Sequence, residues 1–424
     1  MTAIHPAPLL AELQDATTED GITTILVDLF VLFAAAKLVG ELFEALRQPQ
    51  VVGELLAGVL IGPHVLGLVG EEGEIVLEVL AELGVIILLF TVGLETSARD
   101  LRQVGRPALL VGIMGVALPF LAGGGLMAGL GYEREEVLFV AAALVATSVG
   151  ITARVLRDLG AVRLPPSRIV LGAAVVDDIL ALLVLAVVAG LAGGPFSALG
   201  LVVLLVEVAV FLGVVVAFGP RVVRWLSRLA HTPLIPRSPL VFAVLLTLGL
   251  AALSGTIGLA SLIGAFLAGL IFEFSRKEVA TQIEPVYELL VPLFFAITGT
   301  RLDPTVFVEP QLLGLAAVIT LIALATKVAG GYLGAVGLAR SGQLAVGVGM
   351  VPRGEVGLVV ASVGLGLGVI TRDLFGVVVA MTVVTTLATP PVLGPMVRRE
   401  KKRLREAQEH GAATGAAPSQ GGEI

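Results

Sequence analysis

Two adjacent carboxylates, Asp177 and Asp178, stand in the middle of Gly172-Ala-Ala-Val-Val-Asp177-Asp178-Ile-Leu-Ala-Leu-Leu-Val-Leu-Ala186, an otherwise unbroken apolar run. If that run crosses a bilayer, each charge costs about 2.5–3.5 kcal/mol at its centre, and intramembrane acids of this kind mark ion or proton pathways. A lone carboxylate in such a place can do one useful thing without help, which is to take up a proton or a small cation in competition. Desolvation and a like-charged neighbour favour the protonated form of any carboxylate, whereas an ammonium or a bound cation favours the ionised one. Hard cations want oxygen ligands, and Thr147, Ser148 and Thr152 in Val145-Ala-Thr-Ser-Val-Gly-Ile-Thr-Ala153 offer them beside a glycine.

Four further ionisable residues sit deep in apolar sequence: Lys37, Lys327, Arg353 and Glu355. Lys327, in Ile322-Ala-Leu-Ala-Thr-Lys-Val-Ala-Gly-Gly331, falls at about the same depth as the aspartates. An unpaired lysine there would lose its charge, so it is expected to pair with one aspartate and leave the other to exchange ions. Arg353 and Glu355 are read as structural, holding the ends of an interrupted helix together. Lys37 can snorkel or pair with Glu41 and is given no role. Glu54, near the end of a span, is a weaker candidate.

The elements that must position these residues are membrane helices. The chain of 424 residues is 57% hydrophobic and 14% charged, with mean hydropathy +1.01, against about 45–50% and about 25% in soluble domains. Cysteine is absent, which excludes disulfides and thiolate metal sites. The acidic opening segment is not a signal peptide. No organic cofactor, transition metal or nucleic-acid partner is implied, and no enzymatic activity.

Thirteen apolar runs are long enough to be spans, near 22–46, 50–69, 75–95, 106–130, 136–157, 168–192, 198–226, 239–257, 259–275, 285–301, 311–338, 343–368 and 373–397. The basic residues alternate with that count. Arg47, Arg99, Arg102, Arg106, Arg154, Arg157 and the later clusters through Arg340 fall between alternate spans, whereas Glu71, Glu72, Glu133, Glu135 and Glu136 fall on the opposite side. The positive-inside rule then places the N-terminus outside and the C-terminus inside a cytoplasmic-type (inner) membrane.

Val52-Gly-Glu-Leu-Leu-Ala-Gly-Val-Leu60 also reads like Ile263-Gly-Ala-Phe-Leu-Ala-Gly-Leu-Ile271, and Leu88–Gly93 like Leu293–Gly299, seven spans further on. An odd offset inverts the copy, which is the plan of secondary transporters, and corresponding broken helices in the two halves point to the binding site. The fifth and twelfth spans carry the helix-interrupting residues, the latter as Gly347-Val-Gly-Met-Val-Pro-Arg353-Gly-Glu355-Val-Gly357. An all-α polytopic membrane protein is therefore expected, with about thirteen transmembrane helices in two inverted repeats and two broken, crossing helices. Two other classes fit less well. An intramembrane aspartyl protease needs carboxylates facing each other across a water, and adjacent residues point about 100° apart on a helix. A channel needs a filter of ligands.

Taken together, Val52 to Gly67, Leu88 to Thr96, Ala146 to Arg154, Asp177-Asp178 and Pro352 to Leu358 resemble the monovalent cation:proton antiporter-2 family, nearest its bacterial sodium/proton members. The resemblance runs from about residue 22 to 397. It implies a sodium/proton antiporter fold in a homodimer. The core would comprise about 106–192 and 311–397, the dimerisation spans about 22–95 and 239–301, and the linker helix about 198–226. A short external segment (1–21) and a basic, then disordered tail (398–424) would flank it. It further implies that Asp178 carries the ion (sodium or lithium) and the proton, that Asp177 pairs with Lys327, and that Thr147 and Ser148 lie at the unwound helix beside the ion. The implied activity is electrogenic exchange of sodium for protons by alternating access, in the service of pH homeostasis. Potassium/proton exchange is the alternative, although potassium-efflux relatives usually carry a neutral residue before the ion-carrying aspartate.

Overall fold

The computed structural model describes residues 19–46, 48–69, 74–96, 104–191, 198–229, 238–272, 276–301 and 310–413. Most of the opening segment, the last eleven residues, and the loop positions Arg47, Glu71, Glu72, Arg99, Arg102 and Arg237 lie outside them. Fifteen helices and no strand are found among the described residues. They are α1 (Glu19–Ala45), α2 (Gln50–Ile61), α3 (Glu74–Glu95), α4 (Gly105–Gly129), α5 (Arg134–Ala143), α6 (Val149–Asp158), α7 (Pro165–Leu191) and α8 (Ala198–Leu229). The second half holds α9 (Pro239–Thr256), α10 (Ser261–Ile271), α11 (Arg276–Thr300), α12 (Pro310–Gly334), α13 (Arg340–Gly349), α14 (Glu355–Gly366) and α15 (Arg372–Ala413). In hydrocarbon every backbone polar group must be satisfied within the protein, and a helix does this by itself.

Among the described residues nine helices are long and apolar enough to cross a membrane. Two short ones, α2 and α10, and two interrupted pairs, α5/α6 and α13/α14, complete the thirteen spans.

Three boundaries differ from the apolar-run reading. At 12 residues, α2 rises about 18 Å and stops at Gly62, whose backbone is pressed against Thr300 of α11. At its start, α11 extends nine residues further than the apolar run at 285, because Val279 and Ile283 bury completely there while Lys277, Glu278, Thr281 and Gln282 face out. At the C-terminal end the basic stretch is helical: residues 398–413 continue α15 for about four more turns, and the remainder of the tail, 414–424, lies outside the described residues. Contacts hold that extension in place. Lys401 Nζ donates to the Leu159 carbonyl at 2.6 Å, and Ser341 Oγ donates to the buried Glu400 at 2.7 Å.

The inverted repeat appears as paired close approaches. A Cβ on Gly58 of α2 would lie 2.9 Å from Gly299 Cα of α11, and one on Gly269 of α10 would lie 2.9 Å from the Gly93 carbonyl carbon of α3. Gly53 presses on the Val39 carbonyl of α1 as Gly264 presses on the Leu250 carbonyl of α9. Small residues let membrane helices approach this closely, which is where their packing energy comes from. Aligning Gly93 with Gly299 also equates Gly84 with Leu290, and these two meet directly, so α3 and α11 cross on the pseudo-two-fold axis.

Buried apolar side chains fall into one large cluster, built on α1–α3 and α9–α11 and joined by α6 and the first half of α7. A second is built on α4, α5, α12, α14 and α15.

Candidate functional site

Between α5 and α6 the chain is unwound over 144–148, and between α13 and α14 over 350–354. The two breaks are tied to each other. The Ser148 N–H donates to the Pro352 carbonyl at 2.8 Å, and Thr152 Oγ1 donates to the Gly349 carbonyl at 2.7 Å. Arg353 is fully buried and donates from one guanidinium nitrogen to the Val145 and Ala146 carbonyls at 3.2 and 2.8 Å. Thr386 Oγ1 of α15 donates to the Arg353 carbonyl at 2.5 Å. A fixed positive charge at the carbonyl end of α5 opposes the negative end of that helix. Gly354 is required by contact: a Cβ there would sit 2.6 Å from Ser148 Cβ. Glu355 opens α14, but its side chain lies outside the described residues.

Against this crossing lies the charge pair. Lys327 Nζ of α12 donates to Asp177 Oδ1 of α7 at 2.7 Å, and neither side chain has any exposure. Breaking such a pair strands a charge and typically costs about 3–5 kcal/mol. Asp177 Oδ2 and Thr147 Oγ1 are both buried with no hydrogen-bond donor or acceptor among the described residues. Room for the pair comes from Gly115 of α4, whose missing side chain would lie 3.4 Å from both Asp177 Oδ1 and Lys327 Nζ. Asp178 points elsewhere on α7, is half-buried, and borders a void of about 10 Å³ with Leu89, Leu262 and Phe266.

A cavity of about 520 Å³ reaches the crossing. Glu78, Glu82 and Arg301 stand at its mouth, Phe294, Phe295 and Leu358 on its walls, and Ser148, Arg353 and Gly354 at its depth.

Sequence reasoning placed Arg154 and Arg157 among loop charges; the structure puts both on α6, with Arg154 only 4% exposed. Arg154 bonds Glu54 of α2 at 3.3 Å and Asp158 at 2.9 Å. Glu54 is therefore a buried ion-pair partner. Lys37 lies 6.0 Å from the Phe33 ring centroid. Gly115 carried no sequence signal, since a glycine in an apolar run looks the same wherever it falls.

Inverted repeats with two broken helices crossing beside a buried carboxylate–lysine pair define a secondary transporter. Residues 29–399 match the family model of the transmembrane sodium/hydrogen exchangers, and the chain belongs to that family. It is 33% identical to the high-affinity Na(+)/H(+) antiporter NhaS3 of Synechocystis over 93% of this chain and 95% of that one. It is 36% identical to the Na(+)/H(+)-K(+) antiporter GerN of Bacillus cereus over 86% and 94%. The solved structure of the sodium proton antiporter MjNhaP1 from Methanocaldococcus jannaschii superposes with a TM-score of 0.63 over 89% of this chain and 98% of that one, at 17% identity. The protein is thus a multi-pass membrane cation/proton antiporter, not an enzyme, in a family that works without a cofactor.

Proposed function

We propose that the protein exchanges sodium, or lithium, for protons by alternating access, with Asp178 as the carboxylate that binds them in turn. The observation that carries this reading is the Lys327–Asp177 pair. It commits one of two adjacent acids to a fixed partner, while Asp178 lies a third of a turn away on α7. Thr147, Ser148 and the unwound carbonyls of 144–148 supply the further oxygens a hard cation needs. Sodium and two protons then compete for the aspartate pair. When protons occupy it, Asp177 releases Lys327; when sodium binds Asp178, the pair re-forms. One net charge moves per cycle under that stoichiometry.

The core spans, about 106–192 and 311–397, move in this mechanism against a dimerisation domain of about 22–95 and 239–301, with α8 as the linker and a homodimer as the working unit. The N-terminus faces outside and the C-terminus the cytoplasm of the inner membrane, so the cavity at Glu78 and Arg301 opens outward. A second reading, potassium/proton exchange, is favoured by one relative whose name includes potassium.

Proteoliposomes offered sodium, lithium and potassium in turn decide between them. Proton flux driven by sodium and lithium is expected, and flux driven by potassium alone would replace sodium with potassium in this reading. Asp178→Asn is expected to abolish exchange at every pH from about 6 to 9, a range that spans a shifted carboxylate. Robust sodium-driven flux from that variant would sink the assignment.

A further inference from the structure

At the end opposite the cavity mouth, α6 is bound to α2, α3 and α11 by a group of charges around one aromatic ring. Tyr287 of α11 is buried, with the Arg157 guanidinium 3.6 Å and that of Arg154 5.1 Å from its ring centroid. Arg157 reaches Glu284 of α11 at 2.5 Å and Glu95 of α3 at 3.5 Å, while Arg154 holds Glu54 of α2. Cations stacked on a desolvated ring are attracted by its face, and charge-assisted bonds are the strong ones.

The inverted repeat supplies an internal control. Aligning Val149-Gly150-Ile151 with Val356-Gly357-Leu358 places Ala361 and Gly364 of α14 opposite Arg154 and Arg157. The glycine alignments already given place Ala265 opposite Glu54, Ala81 opposite Tyr287, and Glu78 opposite Glu284. Arg301 falls opposite Glu95, and it pairs with Glu78 at 3.1 Å within the same helix layer, asking nothing of α14. Arg154, Arg157, Tyr287 and Glu54 therefore have no like counterpart on the other side, and the one that is matched, Glu284 by Glu78, turns there to Arg301 instead of to α14. The packing follows the same division. On the Arg157 side α6 shares the large apolar cluster with α3 and α10, whereas on the Arg301 side α14 stands off from α11 across the 520 Å³ cavity.

We propose that Arg154 and Arg157, with Tyr287, Glu54, Glu95 and Glu284, form a latch that closes the pathway at this end and biases the protein toward the state open at Glu78 and Arg301. Two halves related by symmetry would populate the two states equally. A ligand or contact present in only one state shifts the balance by its differential energy. These are positioning residues, and they touch no transported ion. The inference rests on the alternating-access reading above.

The chain has no cysteine, so single reporters can be introduced at Thr298 on the cavity wall and at Val175 beside the small void at Asp178. In Glu284→Gln and Arg157→Gln proteins, the ratio of Val175→Cys labelling from the opposite side to Thr298→Cys labelling, both with an impermeant maleimide, should rise about fivefold, mostly as faster reaction at Val175→Cys because the state open at Glu78 is the populated one. That is the size expected for a contact worth about 1 kcal/mol. Exchanging the charges, Arg157→Glu with Glu284→Arg, should restore both rates. Glu284 is partly exposed, so its glutamine variant carries the test if Arg157→Gln fails to fold. Unchanged rates in a folded Glu284→Gln protein, or no recovery in the exchanged pair, overturn the latch. Labelling reads conformation without transport, so a shift in labelling from a protein that fails the sodium flux assay would refute the sodium assignment and leave the latch standing.

Discussion

At the scale of residues, adjacent aspartates are made unequal by one lysine. Lys327 and Asp177 share a site with no exposure, and removing either leaves the other charged and buried. Lys327→Ala should therefore lower the melting temperature in detergent strongly, in keeping with a loss of about 3–5 kcal/mol. Adding Asp177→Asn should recover part of that loss. A double variant as unstable as the two single losses summed would show that the residues are not coupled. Gly115 tests the same pair by volume. Its absent Cβ would sit at ordinary contact distance, 3.4 Å, from both charged atoms. Gly115→Ala should keep exchange, whereas Gly115→Val, whose extra methyls need space the pair fills, should cost about 1–3 kcal/mol of stability and most of the flux. Equal behaviour of the two variants would mean that the glycine does not shape the pair. The aspartates and the lysine were legible in sequence because a charge in hydrocarbon demands an explanation. Gly115 was not, because absence of a side chain becomes informative only once its neighbours are known.

At the scale of elements, the crossing is held by backbone bonds between the breaks and by Arg353 on the carbonyls of the first. Gly354 lies so close to Ser148 that a methyl group would arrive 2.7 Å from its hydroxyl oxygen. Gly354→Ala should accordingly destabilise by about 1–3 kcal/mol, as overpacking does, and Ser148→Gly in the same protein should restore stability. If Ser148 is also an ion ligand, that restored protein will still need more sodium to reach half-maximal flux. Stability and sodium affinity recovering together would leave the serine a packing residue. The broken helices were legible from clustered glycine, proline and hydroxyl residues at matching places in the repeat. The reach of α11 and α15 beyond their apolar runs was not, because hydropathy marks where a helix can meet lipid, not where its hydrogen bonding stops. Arg154 was misplaced for a related reason: near the end of a span, sequence cannot distinguish a loop arginine from one folded back onto Glu54.

At the scale of the whole molecule, an odd number of spans puts the chain ends on opposite sides, and the charge pattern predicts which end is which. Exposed acids at Glu133 and Glu135 flank the start of α5, while exposed Arg398, Arg399, Lys402 and Arg403 extend α15 beyond its apolar length. Basic residues close to a span resist translocation and acids scarcely matter, so the α15 end should be cytoplasmic. A single cysteine at Glu135 is expected to react with an impermeant reagent applied to intact cells, and one at Arg399 only after permeabilisation. The same orientation makes Thr298→Cys, on the cavity wall, an outside-reactive site, because Arg301 and Glu78 stand at its mouth. Labelling of Arg399→Cys in intact cells together with silence at Glu135→Cys would invert the molecule. The cavity would then open inward, and the latch at Arg157 would close the external face.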